Sequence, residues 1–317
     1  MDGTGRFGET SAGLTKRFQA LPGNLRGAAW IIVATILFTI MMTLIKLIGT
    51  RLPVAEILVV RQSVMFLAAL PLIIRGFPGS LTTRRPLLHA GRILFAVIAM
   101  FCGFTAVVHL PLADATAIAF AKSFFIPLFA IVILKEAVGP RRWGAIICGF
   151  IGVMVMLNPT GAGIDGYGLL AVAGAASAAL VMVIIRLLSR SDLAITILAY
   201  QTVFVGVLLT PLAIWQWVWP TWTEFGLLVA IGLVSVTAQS CNIQAFRAGE
   251  ATVLAALDYA RLLWATILGI LIFSEIPAIR TFIGAGIVIA AALYTIHREA
   301  RRGQRLARSP AGRGYTN

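Results

Sequence analysis

Apolar runs of helix length recur ten times along this chain, separated by short polar connections. They fall near residues 27–49, 54–74, 87–109, 113–134 and 142–158, then 167–188, 193–214, 224–246, 251–273 and 281–297. About 20 apolar residues at ~1.5 Å rise per residue match the ~30 Å hydrocarbon core of a bilayer. Only a helix crosses lipid singly, because each backbone N–H and C=O must find its partner within the segment. The pattern predicts an all-α integral membrane protein with ten transmembrane helices. It divides into a tail over 1–26, a five-helix repeat over 27–158, a linker over 159–166, a second five-helix repeat over 167–298 and a basic tail over 299–317.

The doubling is visible in residues as well as in hydropathy. Leu112-Ala113-Asp114-Ala115-Thr116 opens the fourth span, and Ala248-Gly249-Glu250-Ala251-Thr252 opens the ninth. An acidic residue there is placed to cap its helix and to oppose the positive dipole end. The same spans end in acidic turns, Lys135-Glu136 and Ser274-Glu275. Arg141 and Trp143 follow the first turn at the intervals at which Arg280 and Phe282 follow the second. An odd number of spans per half makes the second half enter from the opposite side. Such inverted repeats place a ligand site between them near the midplane, an arrangement that favours a carrier over an enzyme.

Composition narrows the choice. The chain is 59% hydrophobic and 12% charged, against about 25% charged in a water-soluble domain. No polar stretch is long enough for a separate catalytic domain, and the polar first 26 residues lack the apolar core of a cleavable signal. The net charge of +14 does not imply nucleic acid: its Lys and Arg residues sit mostly at alternate span ends and in the tails. Arg6, Lys16, Arg17 and Arg26 precede the first span. Arg75, Arg84, Arg85 and Arg92 mark the second connection, Lys135, Arg141 and Arg142 the fourth, and Arg186 and Arg190 the sixth. Arg247 marks the eighth, and Arg298, Arg301, Arg302, Arg305, Arg308 and Arg313 fill the tail. The opposite face keeps Arg51 and Arg280, with Trp215, Trp217, Trp219 and Trp222 in another connection on that face. Positive residues inside and aromatic anchors at the interface place both termini in the cytoplasm of a multi-pass inner-membrane protein. Cys102, Cys148 and Cys241 lie within spans at no metal spacing, so neither a disulfide framework nor a zinc site is expected. The Gly-rich phosphate loop of an ATPase is absent, and no cofactor is expected.

The chain resembles the drug/metabolite transporter superfamily, in particular its EamA-type ten-helix members, over roughly residues 25–298. The carriers of that resemblance are Glu56-Ile57-Leu58-Val59-Val60-Arg61, the stretch from Leu110-Pro111-Leu112 to Leu134-Lys135-Glu136, and Asp258-Tyr259-Ala260-Arg261-Leu262-Leu263-Trp264 through Phe273-Ser274-Glu275. It implies transport of amino acids, other amphipathic metabolites, vitamins or S-adenosylmethionine, inward or outward. A shared fold does not choose among them.

Ionisable residues at lipid depth are costly and are functional candidates by default. Arg61 is placed to grip a carboxylate or phosphate, or else to bond carbonyls in a packed interior; the equivalent position in the second half is Gln201. Lys122 lies opposite Asp258 in the repeat, as a cation and an anion flanking a central cavity or as an ion pair between the halves. Asp258 and Arg261 share a helix face, as a local salt bridge or as a protonation switch beside an anion hook. Lys46 and His109, near span ends, rank lower, since lysine snorkels there. Tyr259, Phe124, Phe125 and Trp264 suit an apolar moiety, while Gln201, Thr202, Gln239, Asn242 and Gln244 are placed to line a hydrated path or to bond between helices. Pro127 is a candidate kink. Gly144, Gly149, Gly152, Gly284 and Gly286 permit close helix approach, within the chain or in a homodimer.

The expected function is a secondary carrier for an amino acid or similar anionic or zwitterionic solute, with the bilayer as its other partner. The alternatives are an uptake carrier for a larger cofactor or vitamin, riboflavin-like or S-adenosylmethionine-like, and a passive channel. An integral-membrane transferase is disfavoured, because His89, His109 and His297 lie far apart in sequence.

Overall fold

A computed structural model describes residues 22–77, 82–134, 140–157, 166–189 and 191–308. All regular structure among the described residues is helical: α1 Gly23–Ile48, α2 Val54–Arg75, α3 Pro86–His109, α4 Leu112–Ala119, α5 Lys122–Leu134, α6 Pro140–Leu157, α7 Gly166–Leu188, α8 Ala194–Trp215, α9 Trp222–Ala248, α10 Ala251–Asp258, α11 Ala260–Phe273 and α12 Ile279–Arg308. Among the described residues eight stretches are long and apolar enough to cross a bilayer, two of them the pairs α4–α5 and α10–α11. The apolar parts of α6 and α12, Ile146–Leu157 and Ile279–Tyr294, are shorter. α12 runs on into the basic tail as far as Arg308. The Lys135-Glu136 turn and most of the linker at 159–166 lie outside the described residues.

The apolar residues face two ways. Met41, Ile45, Ile57, Leu58, Ile93, Phe104, Val205, Leu228 and Ile231 form one interior cluster. Ala117, Ile118, Phe120, Phe124, Val153, Met156, Ala171, Ala175 and Val288 form a second. Many other large apolar side chains point outward, among them Leu67, Val132, Ile214, Leu271, Ile276 and Trp222. An exposed apolar surface of this extent on an all-helical chain is a lipid-facing one. The chain is an integral, multi-pass membrane protein.

The principal helix pairs are α1 with α9, α3 with α7, α2 with α8 and α6 with α12. Exchanging α1–α6 for α7–α12 turns the first pair into the second and returns the other two to themselves. Glycine sets some of these spacings. A Cβ built on Gly152 would lie 2.8 Å from the Gly284 carbonyl oxygen, and one on Gly284 would lie 2.5 Å from that of Gly152, so α6 and α12 touch backbone to backbone. Gly149 abuts Phe124, whereas Gly144 and Gly286 have open space beside them.

Helix starts differ from expectation. The Asp114 carboxylate accepts a hydrogen bond from Thr281 Oγ1 at 2.8 Å. The first N–H of α4, on Leu112, donates instead to Glu275 Oε2 at 2.9 Å. Glu250 caps nothing with its side chain, and its own N–H donates to Asn24 Oδ1 at 2.9 Å. In both places the orphan donor is satisfied from a remote segment, which rules for local caps cannot see. Only α9 shows a capping box among the described helices: the Thr221 hydroxyl accepts from Glu224 N while the Glu224 carboxylate takes Thr221 N.

Candidate substrate cavity

The fourth and ninth apolar runs are each broken near the middle. Between α4 and α5 the backbone tightens: Phe120 N, Ala121 N, Ser123 N and Phe124 N all donate to carbonyls three residues back, the 3₁₀ pattern of a strained or hinge-like turn. Pro127 lies inside α5, beyond the break, and is not its site. The second break falls at Tyr259, with Leu262 N donating to its carbonyl at 3.0 Å. Each break starts a new helix within one apolar run. Lys122 is the first residue of α5, Asp258 the last of α10, and Arg261 the second of α11.

These breaks flank a cavity of about 260 Å³. Its walls are Phe38, Thr39 and Met42 of α1, Ala99, Met100, Gly103, Phe104, Ala106 and Val107 of α3, and Ala115, Thr116 and Ala119 of α4. Phe120 of the first break, Lys122 of α5, Ala171, Gly174, Ala175 and Ala178 of α7, and Arg261 of α11 complete it. Of the residues singled out in the sequence, Lys122 and Arg261 therefore line one cavity. Asp258 is tied to it, its Oδ1 lying 2.7 Å from Arg261 Nη2 across the second break. The Arg261 guanidinium stacks on Phe38 at 4.3 Å from the ring centroid. Lys122 makes no hydrogen bond or ion pair among the described residues, although Asp258 and Arg261 both act on it electrostatically. With Arg261 neutralised by Asp258, the cavity keeps one uncompensated positive charge. Tyr259 stands behind the wall, its ring edge on Phe120 at 4.7 Å and its hydroxyl 3.5 Å from Ser123 Oγ. Trp264 donates to Thr35 Oγ1 at 3.3 Å and ties α11 to α1.

The remaining candidates lie elsewhere. Arg61 is buried, donating to Ser235 Oγ at 2.9 Å and Gln62 Oε1 at 3.0 Å, with Phe104 between it and the cavity side of α3. The Gln201 side-chain oxygen is taken by Arg92, and its carbonyl accepts from Gln62 Nε2 at 3.4 Å. Gln239 is exposed and Asn242 half-buried on α9, and neither borders the cavity. Arg92, assigned by its sequence position to a cytoplasmic connection, is instead in the second turn of α3 and 2% exposed, bonded to Ile197 O at 2.9 Å as well as to Gln201. Its partners, the Ile197 carbonyl and Gln201 on α8, come from a distant part of the chain and leave no local mark in the sequence.

Lys46 also departs from expectation. It turns inward rather than snorkelling, forming an ion pair with Glu275 at 2.5 Å and donating to the Leu110 carbonyl. Its partner is presented by Ser274, whose left-handed backbone (φ 55°) costs a non-glycine residue about 1 kcal/mol and reverses the chain after α11. His109 is stacked on Tyr167, with ring centroids 4.0 Å apart.

Two further polar clusters bind connections to helix starts. Arg51 Nε donates to Glu224 Oε1 at 2.6 Å, and that hydrogen bond raises the guanidinium further above its ordinary range. In the α7–α8 connection, Asp192 Oδ2 accepts from Thr83 Oγ1 at 2.5 Å and lies 2.8 Å from His89 Nε2. Burial pushes the Asp192 carboxyl up, but the hydrogen bonds from Thr83, His89 and Ser191 more than offset it and hold it below its ordinary value. The two clusters occupy equivalent places in the halves with the acid exchanged: it is on the helix start in one and on the connection in the other.

The sequence pattern of the EamA-like transporter family matches residues 25–158 and again 166–296. This chain belongs to the EamA-like transporter family. It is 28% identical over 282 residues to the S-adenosylmethionine uptake transporter of Rickettsia prowazekii, covering 89% of this chain and 96% of that protein. It is 30% identical over 283 residues to the riboflavin transporter of Rhizobium johnstonii, covering 87% and 92%. Pseudopaline exporter CntI of Pseudomonas aeruginosa is 28% identical over 271 residues, covering 84% and 94%. A solved structure at 17% identity, covering 89% of this chain and 98% of its own, superposes with a TM-score of 0.56 and supports the fold alone. The protein is a small-metabolite transporter. The names of its relatives favour the cofactor or vitamin alternative over the amino-acid expectation.

Proposed function

We propose that this transporter is a secondary carrier, not an enzyme, that moves a cofactor- or vitamin-sized organic solute with an anionic group across the inner membrane. The observation that carries this reading is Lys122, a cation without an ion-pair partner among the described residues, facing a cavity lined mostly by Ala, Gly, Phe and Met, with Thr39, Thr116, Val107 and the Asp258-paired Arg261 as its other walls. A charge at membrane depth is expensive, and a carboxylate or phosphate on the solute would compensate it. The apolar wall suits the rest of such a molecule, as in small-molecule sites generally. The cavity volume, about 260 Å³, lies just under the usual ~300–1,000 Å³ range. The names of the Rickettsia and Rhizobium relatives, S-adenosylmethionine uptake and riboflavin transport, support solutes of this size.

In this reading residues 27–158 and 167–298 are inverted five-helix repeats, ten spans in all, with both termini cytoplasmic. The exchange-invariant helix pairing and the paired central breaks support that arrangement. Alternating access would then exchange the conformations of the two halves around the cavity.

The test is counterflow in proteoliposomes with labelled S-adenosylmethionine, riboflavin and leucine. We expect trans-acceleration with S-adenosylmethionine, which carries a carboxylate; trans-acceleration with riboflavin, which has no anionic group, would keep the size class and overturn the pairing of the solute with Lys122. Trans-acceleration with leucine alone would return the protein to amino-acid transport, and uptake of any of them without trans-acceleration would indicate a channel.

A further inference from the structure

Gly103 sits inside α3, six residues before its last residue, where glycine costs about 1 kcal/mol relative to alanine. Its backbone is regular helix, so no unusual conformation requires it. Packing does not require it either, since a Cβ built there meets no atom within 4 Å. Gly174 on the facing α7 is different. A Cβ on Gly174 would lie 3.0 Å from Gly103 N and 3.3 Å from the Ala99 carbonyl oxygen, so that glycine is what lets α3 and α7 touch. The missing side chain of Gly103 opens onto the cavity instead.

The wall around it is almost free of side chains. Ala99 on α3 and Ala171 and Ala175 on α7 add only methyl groups. Lys122 borders the same space, and so do the rings of Phe104 and Phe120. Small residues beside aromatic rings leave room here for a slot, and a planar ring is the group that fills a slot with van der Waals contact on a face.

We infer that Gly103 is a specificity-determining residue: the space it leaves receives the flat ring of a solute whose anionic group pairs with Lys122. This rests on the reading of the cavity as the solute site and adds to it a substrate class, a planar heteroaromatic ring joined to a carboxylate or phosphate. A side chain at position 103 would occupy the ring's place without disturbing the helix, so it would discriminate by shape rather than by stability.

The experiment compares Gly103→Ala and Gly103→Leu with Gly91→Ala and Gly91→Leu. Gly91 is in the same helix, has equally open space around its Cβ and does not border the cavity. Uptake into proteoliposomes is measured for two ringed probes, S-adenosylmethionine and riboflavin 5′-phosphate, and for their ringless counterparts, S-methylmethionine and ribitol 5-phosphate. Size-exclusion profiles and melting temperatures of all four variants verify folding. We expect Gly103→Leu to lower the ratio of ringed to ringless uptake about tenfold or more, the scale on which a filled pocket discriminates, with Gly103→Ala intermediate and both Gly91 variants unchanged. An unchanged ratio in Gly103→Leu, with wild type moving a ringed probe, would overturn the slot and leave the proposed function standing. A wild-type protein that moves neither ringed probe would overturn the proposed function, and the slot with it.

Discussion

Lys46 at the end of α1 and Glu275 in the turn after α11 form an ion pair at 2.5 Å, with side chains 7% and 22% exposed. The same two residues hold the α3–α4 turn, Lys46 through the Leu110 carbonyl and Glu275 through Leu112 N. One small charge cluster thus pins three segments from both parts of the chain at a single end of the bundle. An opening of that end must separate them.

Lys46→Met should leave Glu275 without its cation. Breaking a fully buried pair costs ~3–5 kcal/mol, but Glu275 is partly solvated, and we expect about 2 kcal/mol. The double variant Lys46→Met/Glu275→Gln should recover much of that loss, because glutamine still offers an oxygen to Leu112 N. Melting temperatures in detergent measure both, and additive losses in the double variant would show that the pair is not coupled.

Lys122→Met should weaken binding of an anionic solute by about tenfold or more, equivalent to ~1.4 kcal/mol, with little loss of folded protein, since Lys122 has no partner to strand. Lys122→Arg should restore part of the affinity. Equal affinity in wild type and Lys122→Met, measured by substrate protection in proteoliposomes, would remove Lys122 from the site.

Acid should destabilise the α7–α8 connection through Asp192. Its carboxyl is held below the ordinary value of 3.8, so the stability it contributes is full above that value and is lost as the pH falls through the lower folded one. Asp192→Asn should be less stable than wild type at neutral pH and show a shallower decline below about pH 4. Thermal melts from pH 7 to pH 3 measure this, and parallel curves would contradict it.

Gly284→Ala should strain the α6–α12 contact by ~1–3 kcal/mol, the usual cost of overpacking, because its Cβ would meet the Gly152 carbonyl oxygen. Gly144→Ala and Gly286→Ala have open space beside them and should be neutral or stabilising by ~0.5–1 kcal/mol through helix propensity. The order of the three melting temperatures is the check.

The apolar periodicity located the helices well. Runs near 54–74, 87–109 and 167–188 in the sequence are α2, α3 and α7 within a residue or two. The central breaks were not legible, because nothing in Phe120-Ala121 or Tyr259 is a helix breaker; Pro127, the obvious one, lies within α5. Lys122 and Arg261 were conspicuous as charges in apolar surroundings. Gly103 was not, since an unused space beside a glycine leaves no mark on composition or spacing.

From the sequence alone came the membrane class, the helices and their doubling, because hydropathy and backbone satisfaction are local properties that a run of twenty residues settles by itself. The tertiary structure decided which charges are paired. Lys46 meets Glu275, Arg92 meets Gln201, Asp258 meets Arg261, and Lys122 is left facing the cavity. A buried charge takes its meaning from its neighbours, and except for Asp258 and Arg261 those neighbours arrive from distant parts of the chain only when the helices pack.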